Sequence, residues 1–195
     1  FIQIMQTLKE HLILRVFRIV ENDQTITSAK TSLSQVAAAT KKLANSHFKS
    51  GDKIVDYGGG KYDKGIDHVK EASNADMHVY DPFNRSREHN DKVTKTMAGK
   101  ADHVTMNNVG NVIKDDSHLH QAIQGAKNFM HPEHGQFHMS VYEGDGTGNG
   151  RMTQGGESYQ RHEKLKEYLP HVKKVFPDSE YQHSVKNGII SVKRK

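Results

Sequence analysis

The chain has 195 residues, no cysteine, 28 Lys and Arg against 23 Asp and Glu, and a formal net charge of +5. That length suits one sizeable core plus an appendage, and the lack of cysteine excludes disulfides and thiolate chemistry. No apolar run is long enough to span a membrane as a helix, and residues 1–20 are interrupted by Lys9, Glu10, Arg15 and Arg18 without a small-residue cleavage site, so a cytoplasmic protein without membrane partners is expected.

Residues 1–20 are ambiguous. Met5, Leu8 and Leu12 suggest a helix, whereas 12–20 is β-branched enough for a strand. Residues 31–44 read as an amphipathic helix, with Leu33, Val36, Ala37, Thr40 and Leu43 at helical spacing and Ser32 and Ser34 as caps. Residues 1–50 are therefore expected to be an N-terminal helical brace on a main domain at 51–195. From residue 51 strands and helices alternate: strand 53–57, helix 62–73, strand 77–80, helix 85–97 and strand 102–109. Helix 115–130 follows, with Leu119, Ala122, Ile123, Ala126 and Met130 on one face and Asp115, Asp116 and Ser117 in its first turn. Residues 136–142 alternate as a strand, and 157–169 reads as a helix stopped by Pro170. Asn187-Gly188 joins two β-type runs, a strong hairpin signal. This order predicts an α/β fold whose parallel sheet has right-handed crossovers and ends in an antiparallel hairpin.

The chemistry concentrates where the first strand ends, at Asp56-Tyr-Gly-Gly-Gly60. Glycines at Gly58, Gly59 and Gly60 let the backbone turn sharply and approach a ligand. The second strand ends in Asp81, 25 positions after Asp56, where a carboxylate can accept hydrogen bonds from a ribose. Neither standard glycine fingerprint is complete. A dinucleotide G-x-G-x-x-G would need glycine at Asp63, and a D/E-x-G-x-G-x-G would need it at Tyr62. A tight structural turn at the glycines, and a helix cap at Asp81, remain open alternatives.

Taken in order, Asp56-Tyr-Gly-Gly-Gly-Lys-Tyr-Asp-Lys-Gly65, Val79-Tyr-Asp-Pro-Phe-Asn-Arg85, Asn107-Asn-Val-Gly-Asn-Val-Ile113 and Val141-Tyr-Glu-Gly-Asp-Gly146 resemble the class I S-adenosylmethionine-dependent methyltransferases. The likeness is to small phage and bacterial methyltransferase-like proteins without an assigned substrate. It implies a Rossmann-like, mostly parallel sheet closed by a C-terminal antiparallel hairpin, which nicotinamide dehydrogenases normally lack. It also implies S-adenosyl-L-methionine (SAM) as cofactor, with S-adenosylhomocysteine (SAH) as its demethylated product. Gly58 and Gly60 would pass under the methionine part, Asp56 would fix the loop or reach the amino group, and Asp81 would accept the ribose hydroxyls. Pro82 and Phe83 would flank the adenine, and Asn107 would line the methionine end.

The departures also carry expectations. Only one helix separates the Asp81 strand from the next, so the usual intervening strand is missing or very short. Asn107-Asn-Val-Gly110 is not the Asp/Asn-Pro-Pro-Tyr/Phe box of exocyclic amino methyltransferases.

Tyr142, Glu143 and Asp145 lie in a glycine-rich loop after the fourth strand, as candidates to hold an acceptor or act as base; a mobile surface connection is the equal alternative. Residues 1–50 and 157–195 each carry +4, which makes nucleic acid one candidate acceptor and a small molecule the other. Solubilising lysine is the bland alternative. Binding of the cofactor without methyl transfer, and a nicotinamide-dependent oxidoreductase, are the competing functions. His131, His134 and His138 cluster in sequence, with His118 and His120 one helix earlier. No His-Glu-x-x-His motif exists, so no metal is expected and the histidines read as solvated or capping. The sequence assigns no oligomeric state.

Overall fold

The computed structural model describes residues 34–153, 156 and 158–195. Most of the expected N-terminal brace, including residues 1–20, Ser32 and Leu33, lies outside the described residues. The central sheet has six strands: β1 (Lys53–Tyr57), β2 (Asp76–Tyr80), β3 (His103–Asn107), β4 (Gln136–Ser140), β7 (Tyr181–Lys186) and β8 (Ile189–Arg194), in the order β2-β1-β3-β4-β8-β7. The first four strands pair in parallel, and β8 runs antiparallel to both β4 and β7. The expected hairpin therefore closes the sheet, turning at Asn187 and Gly188, both at positive φ. No strand lies between Tyr80 and His103, so β2 is an edge and the sheet is short by the strand whose absence the sequence indicated.

Helices cover both faces. α1 (Ala38–Ser46) and α2 (Lys64–Ser73) pack on one face over Ile54, Met77 and Ile189; α3 (Arg87–Met97), α4 (Asp116–Lys127) and α5 (Leu169–Val175) accompany the larger core around Val55, Met106, Phe137 and Phe176. Alternate residues of a strand face opposite sides, and this is why Ile54 and Val55 fall in different clusters. α4 forms as its periodicity demands, burying Leu119, Ala122, Ile123 and Ala126, and Asp115 caps it by accepting from the amides of Ser117 and His118. Ser86 caps α3 in the same way, through the amide of His89.

Two local expectations are corrected. The helix expected at 157–169 is absent. Tyr159–Gln160 (β6) instead pairs with Arg151–Met152 (β5) as a two-residue ladder, a 3₁₀ turn occupies Leu165–Tyr168, and α5 begins at Leu169. Pro170 starts this helix rather than ending one, because the first turn has amides with no intrahelical partner and loses nothing by lacking one. α1 begins at Ala38, after Ala37 and without a side-chain cap, so Ser34 does not cap it.

One face of β3 and β4 is unusually polar. His103, Thr105 and Asn107 alternate with buried Val104 and Met106, and Gln136, His138 and Ser140 alternate with Phe137 and Met139. The register sets Asp56 beside Thr105, Thr105 beside His138, and His138 beside Ser191. A polar row thus crosses four strands beneath α1.

Candidate functional site

A cavity of about 400 Å³ opens at the carboxyl ends of β1, β2 and β3, where open α/β sheets hold ligands. Asp56, Gly58, Gly59, Gly60, Asp81, Pro82, Phe83 and Asn107 all line it. The first turn of α1 forms a further wall through Thr40 and Lys41, and Tyr62, Asn84 and Val109 complete the lining used below.

The glycines of the loop are required for two different reasons. Gly58 and Gly60 have φ of 79° and 78°, the left-handed region, and the Gly58 amide donates to Tyr80 O at 2.7 Å. Gly59 has an ordinary backbone, but a Cβ there would come within 2.5 Å of Asp56 Oδ2. Tyr62 stands where the methyltransferase fingerprint has its last glycine. It does not shorten the turn: α2 starts two residues later, and the Tyr62 ring is partly exposed.

Asp81 is buried, and its carboxylate organises two loops at once. Oδ2 accepts the Gly60 amide at 2.8 Å, and Oδ1 accepts the amides of Phe83 and Asn84, each at 2.9 Å. The Asn84 side-chain amide adds two longer contacts of 3.3 Å. Asp81 therefore does not cap a helix, since Ser86 caps α3; its carboxylate holds the turn at 82–84 and also lines the cavity. Two residues that sequence reasoning passed over hold this corner. Asn90 exchanges hydrogen bonds with the Asp81 backbone, accepting at 3.1 Å and donating at 2.9 Å. Arg85 donates from Nε to Gly60 O at 2.8 Å and pairs through Nη2 with Asp63 at 2.6 Å. The positively charged residue after a Pro-Phe-Asn turn was the available signal.

Asp56 sits at the cavity floor. Thr105 Oγ1 donates to Oδ1 at 2.6 Å, and Asn107 Nδ2 donates a longer bond of 3.4 Å to the same oxygen. Burial pushes its carboxyl up to about 6; the two hydrogen bonds oppose that rise and the Asp81 charge adds to it. Asn107 is held in turn by Ser140 Oγ at 2.7 Å and donates to Thr40 Oγ1 at 3.1 Å, which ties α1 to the sheet.

Tyr142, Glu143 and Asp145 do not line this cavity. Tyr142 is exposed, and Glu143 Oε1 accepts the Leu165 amide at 2.8 Å. Asp145 pairs with Arg151 Nη2 at 2.6 Å and accepts from Thr147, contacts that hold its carboxyl well below the usual carboxylate range. Arg161, also missed from sequence, is buried and donates to Ile113 O, Lys114 O and Asp116, fastening the segment after β6 to the loop following β3. Of the clustered histidines expected to be solvated or capping, His134 is exposed but His138 is buried in the sheet face, beside the equally buried His103.

Solved structures share this fold, two methyltransferases among them. A 1,6-didemethyltoxoflavin-N1-methyltransferase from Burkholderia thailandensis, solved with 1,6-didemethyltoxoflavin and SAH, superposes with a TM-score of 0.58 at 12% identity, over 96% of this chain and 89% of that one. The mitomycin 7-O-methyltransferase MmcR gives 0.52 at 13% identity, over 80% of this chain and 53% of its own. DesVI of Streptomyces venezuelae gives 0.52 at 9% identity, over 95% and 98%. No protein-family model and no curated protein sequence matches. The fold is that of the class I methyltransferases. No helix among the described residues is long and apolar enough to cross a membrane.

Proposed function

We propose that the protein is a SAM-dependent methyltransferase. The observation that carries this reading is one cavity, at the carboxyl edge of a methyltransferase-type sheet, lined by the Gly58–Gly60 turn, Asp81 and Asp56. Its size matches pockets built for a cofactor. The chemistry of its walls fits SAM: backbone kept bare by glycine, acids at two points, and an apolar slot of Val79, Pro82 and Phe83. The B. thailandensis neighbour holds SAH, which supports the same ligand here.

Asp81 is assigned to the ribose hydroxyls. A carboxylate offers about four acceptor positions, and the 3.3 Å contacts from Asn84 Nδ2 are those that hydroxyls would displace. Pro82 and Phe83 flank the adenine, and the Gly58–Gly60 backbone underlies the methionine part. Asp56, once ionised, faces its ammonium, and Asn107 borders the methyl-bearing end. When bound, the cofactor supplies a methyl group on a positive sulfur, open to in-line attack by an acceptor nucleophile. The protein contributes mainly position and exclusion of water, with α1 and Val109 closing the walls.

The two methyltransferases compared above are named for 1,6-didemethyltoxoflavin N1 and for mitomycin 7-O, which favours a small acceptor over nucleic acid. The protein is assigned to the cytoplasm, with residues 51–195 as the cofactor domain and Tyr142, Glu143 and Asp145 at its acceptor side. A second reading, binding without transfer, is favoured by one observation: Glu143 and Asp145 are already engaged within the protein. Calorimetric titration with SAM and SAH, on wild type and Asp81→Ala, tests the cofactor. Micromolar binding lost in the variant supports the assignment, and no binding by folded wild type ends it. Methylated product from a panel of small nucleophiles and oligonucleotides then separates transfer from binding alone.

A further inference from the structure

We propose that His47, His103 and His138 form a binding site for a divalent transition-metal ion of the zinc type, outside the cofactor cavity, where the ion ties the end of α1 to the sheet. One ring nitrogen from each of the three lies within 4.8 Å of the others. Between the two buried rings, His103 Nδ1 and His138 Nε2 are 3.1 Å apart. A tetrahedral zinc ion with bonds of about 2.0–2.1 Å separates its ligands by about 3.3 Å, so these two nitrogens need almost no movement. The ring centroids form a near-equilateral triangle, with sides of 5.2, 5.1 and 5.3 Å.

The surroundings match what metal-bound imidazoles need. A ligating histidine has its second nitrogen held by an oxygen, which fixes tautomer and orientation. His103 Nε2 meets Asp52 Oδ2 at 3.2 Å, His138 Nδ1 meets Ser191 Oγ at 2.9 Å, and His47 Nε2 meets Gln136 Oε1 at 2.9 Å. Every ring thus spends one nitrogen on a neighbouring oxygen and keeps one. Asp52 adds a negative charge behind three neutral ligands. Three imidazoles with oxygen partners suit zinc, cobalt, nickel or copper rather than calcium or magnesium, which prefer oxygen donors.

The location gives the ion a structural task. His103 and His138 come from adjacent strands, while His47 immediately follows α1. That helix also carries Thr40 and Lys41 in the cavity wall. A bare imidazole pair is the alternative, since one N–H shared between His103 and His138 satisfies both rings without His47.

The test uses tag-free protein freed of metal by a chelator, titrated with Zn²⁺ and with Co²⁺ alone. The expected result is one ion per chain, a Co²⁺ absorption spectrum of tetrahedral type, and a higher melting temperature with metal. His47 is exposed, so His47→Ala should melt as wild type does without metal, yet bind at least tenfold more weakly and lose the metal-induced rise. The double variant His131→Ala/His134→Ala removes the stacked surface pair (ring centroids 3.6 Å apart) and should bind as wild type. Absence of stoichiometric binding by folded wild type overturns the proposal, as does wild-type affinity in His47→Ala.

Discussion

Asp81 Oδ2 accepts the Gly60 amide at 2.8 Å, so the acid that ends β2 holds the glycine turn that ends β1. The two strands are neighbours in the sheet, and this bond joins their tips across the cavity floor. Ribose recognition and loop geometry are therefore one structural unit in the proposed site.

Asp81→Ala should do more than remove a ligand contact. It strands the amides of Gly60, Phe83 and Asn84 near the cavity, and an unpartnered buried donor costs about 1–3 kcal/mol. We expect a lower urea midpoint together with at least tenfold weaker SAH binding. Asp81→Asn keeps an acceptor and should recover most of the stability but little of the affinity. Equal loss in both properties for the two variants would contradict the dual role.

Gly58→Ala forces a side chain into the left-handed region and toward Val109. Strain of this kind costs of order 1–3 kcal/mol, so unfolding should be easier by about that amount. Gly59→Ala carries no backbone strain but crowds the Asp56 carboxylate. It should keep most of the stability and lose cofactor affinity. Thermal melts with and without SAH separate the two cases.

The Asp56 carboxyl, raised to about 6 by burial, gives two pH effects of opposite sense. The folded state holds this proton more tightly than the unfolded chain, so its contribution to stability falls as pH rises from about 4 to about 6 and is flat above. Asp56→Asn should therefore gain stability relative to wild type across that window, by roughly 2–3 kcal/mol at most. Affinity for a ligand bearing an ammonium group runs the other way, rising as Asp56 ionises. SAH binding should weaken by about tenfold between pH 7.5 and pH 5, with the slope reduced in Asp56→Asn.

Arg85 bridges Gly60 O and Asp63 from a largely buried position. Arg85→Lys cannot reproduce a two-pronged contact and should loosen the glycine turn. A several-fold loss of SAH affinity, with a small change in melting temperature, is expected by calorimetry.

Asp145→Asn tests the acceptor-side loop. Because Asp145 stands outside the cavity, paired with Arg151, SAH affinity should stay within about twofold of wild type. Any effect should appear only in turnover with an acceptor.

The order of strands and helices, the glycine turn, Asp81 and the closing hairpin were legible in the sequence. These rest on signals carried by neighbouring residues: periodicity of 2 or 3.6, glycine where φ must be positive, and Asn-Gly between β-type runs. Local signals failed at residues 157–169, because Pro170 can open a helix as well as end one. Long-range packing, which no local signal carries, makes Arg85 and Asn90 brace the Asp81 corner, sets α1 in the cavity wall, and keeps Tyr142, Glu143 and Asp145 apart from it. It alone brought His47 and His103 to His138. The spacing of 47, 103 and 138 carries no motif; their meeting depends on β3–β4 register and on where α1 ends. Alternation of polar residues in β3 and β4 was visible, but which helix covers that face is fixed by packing across the sheet.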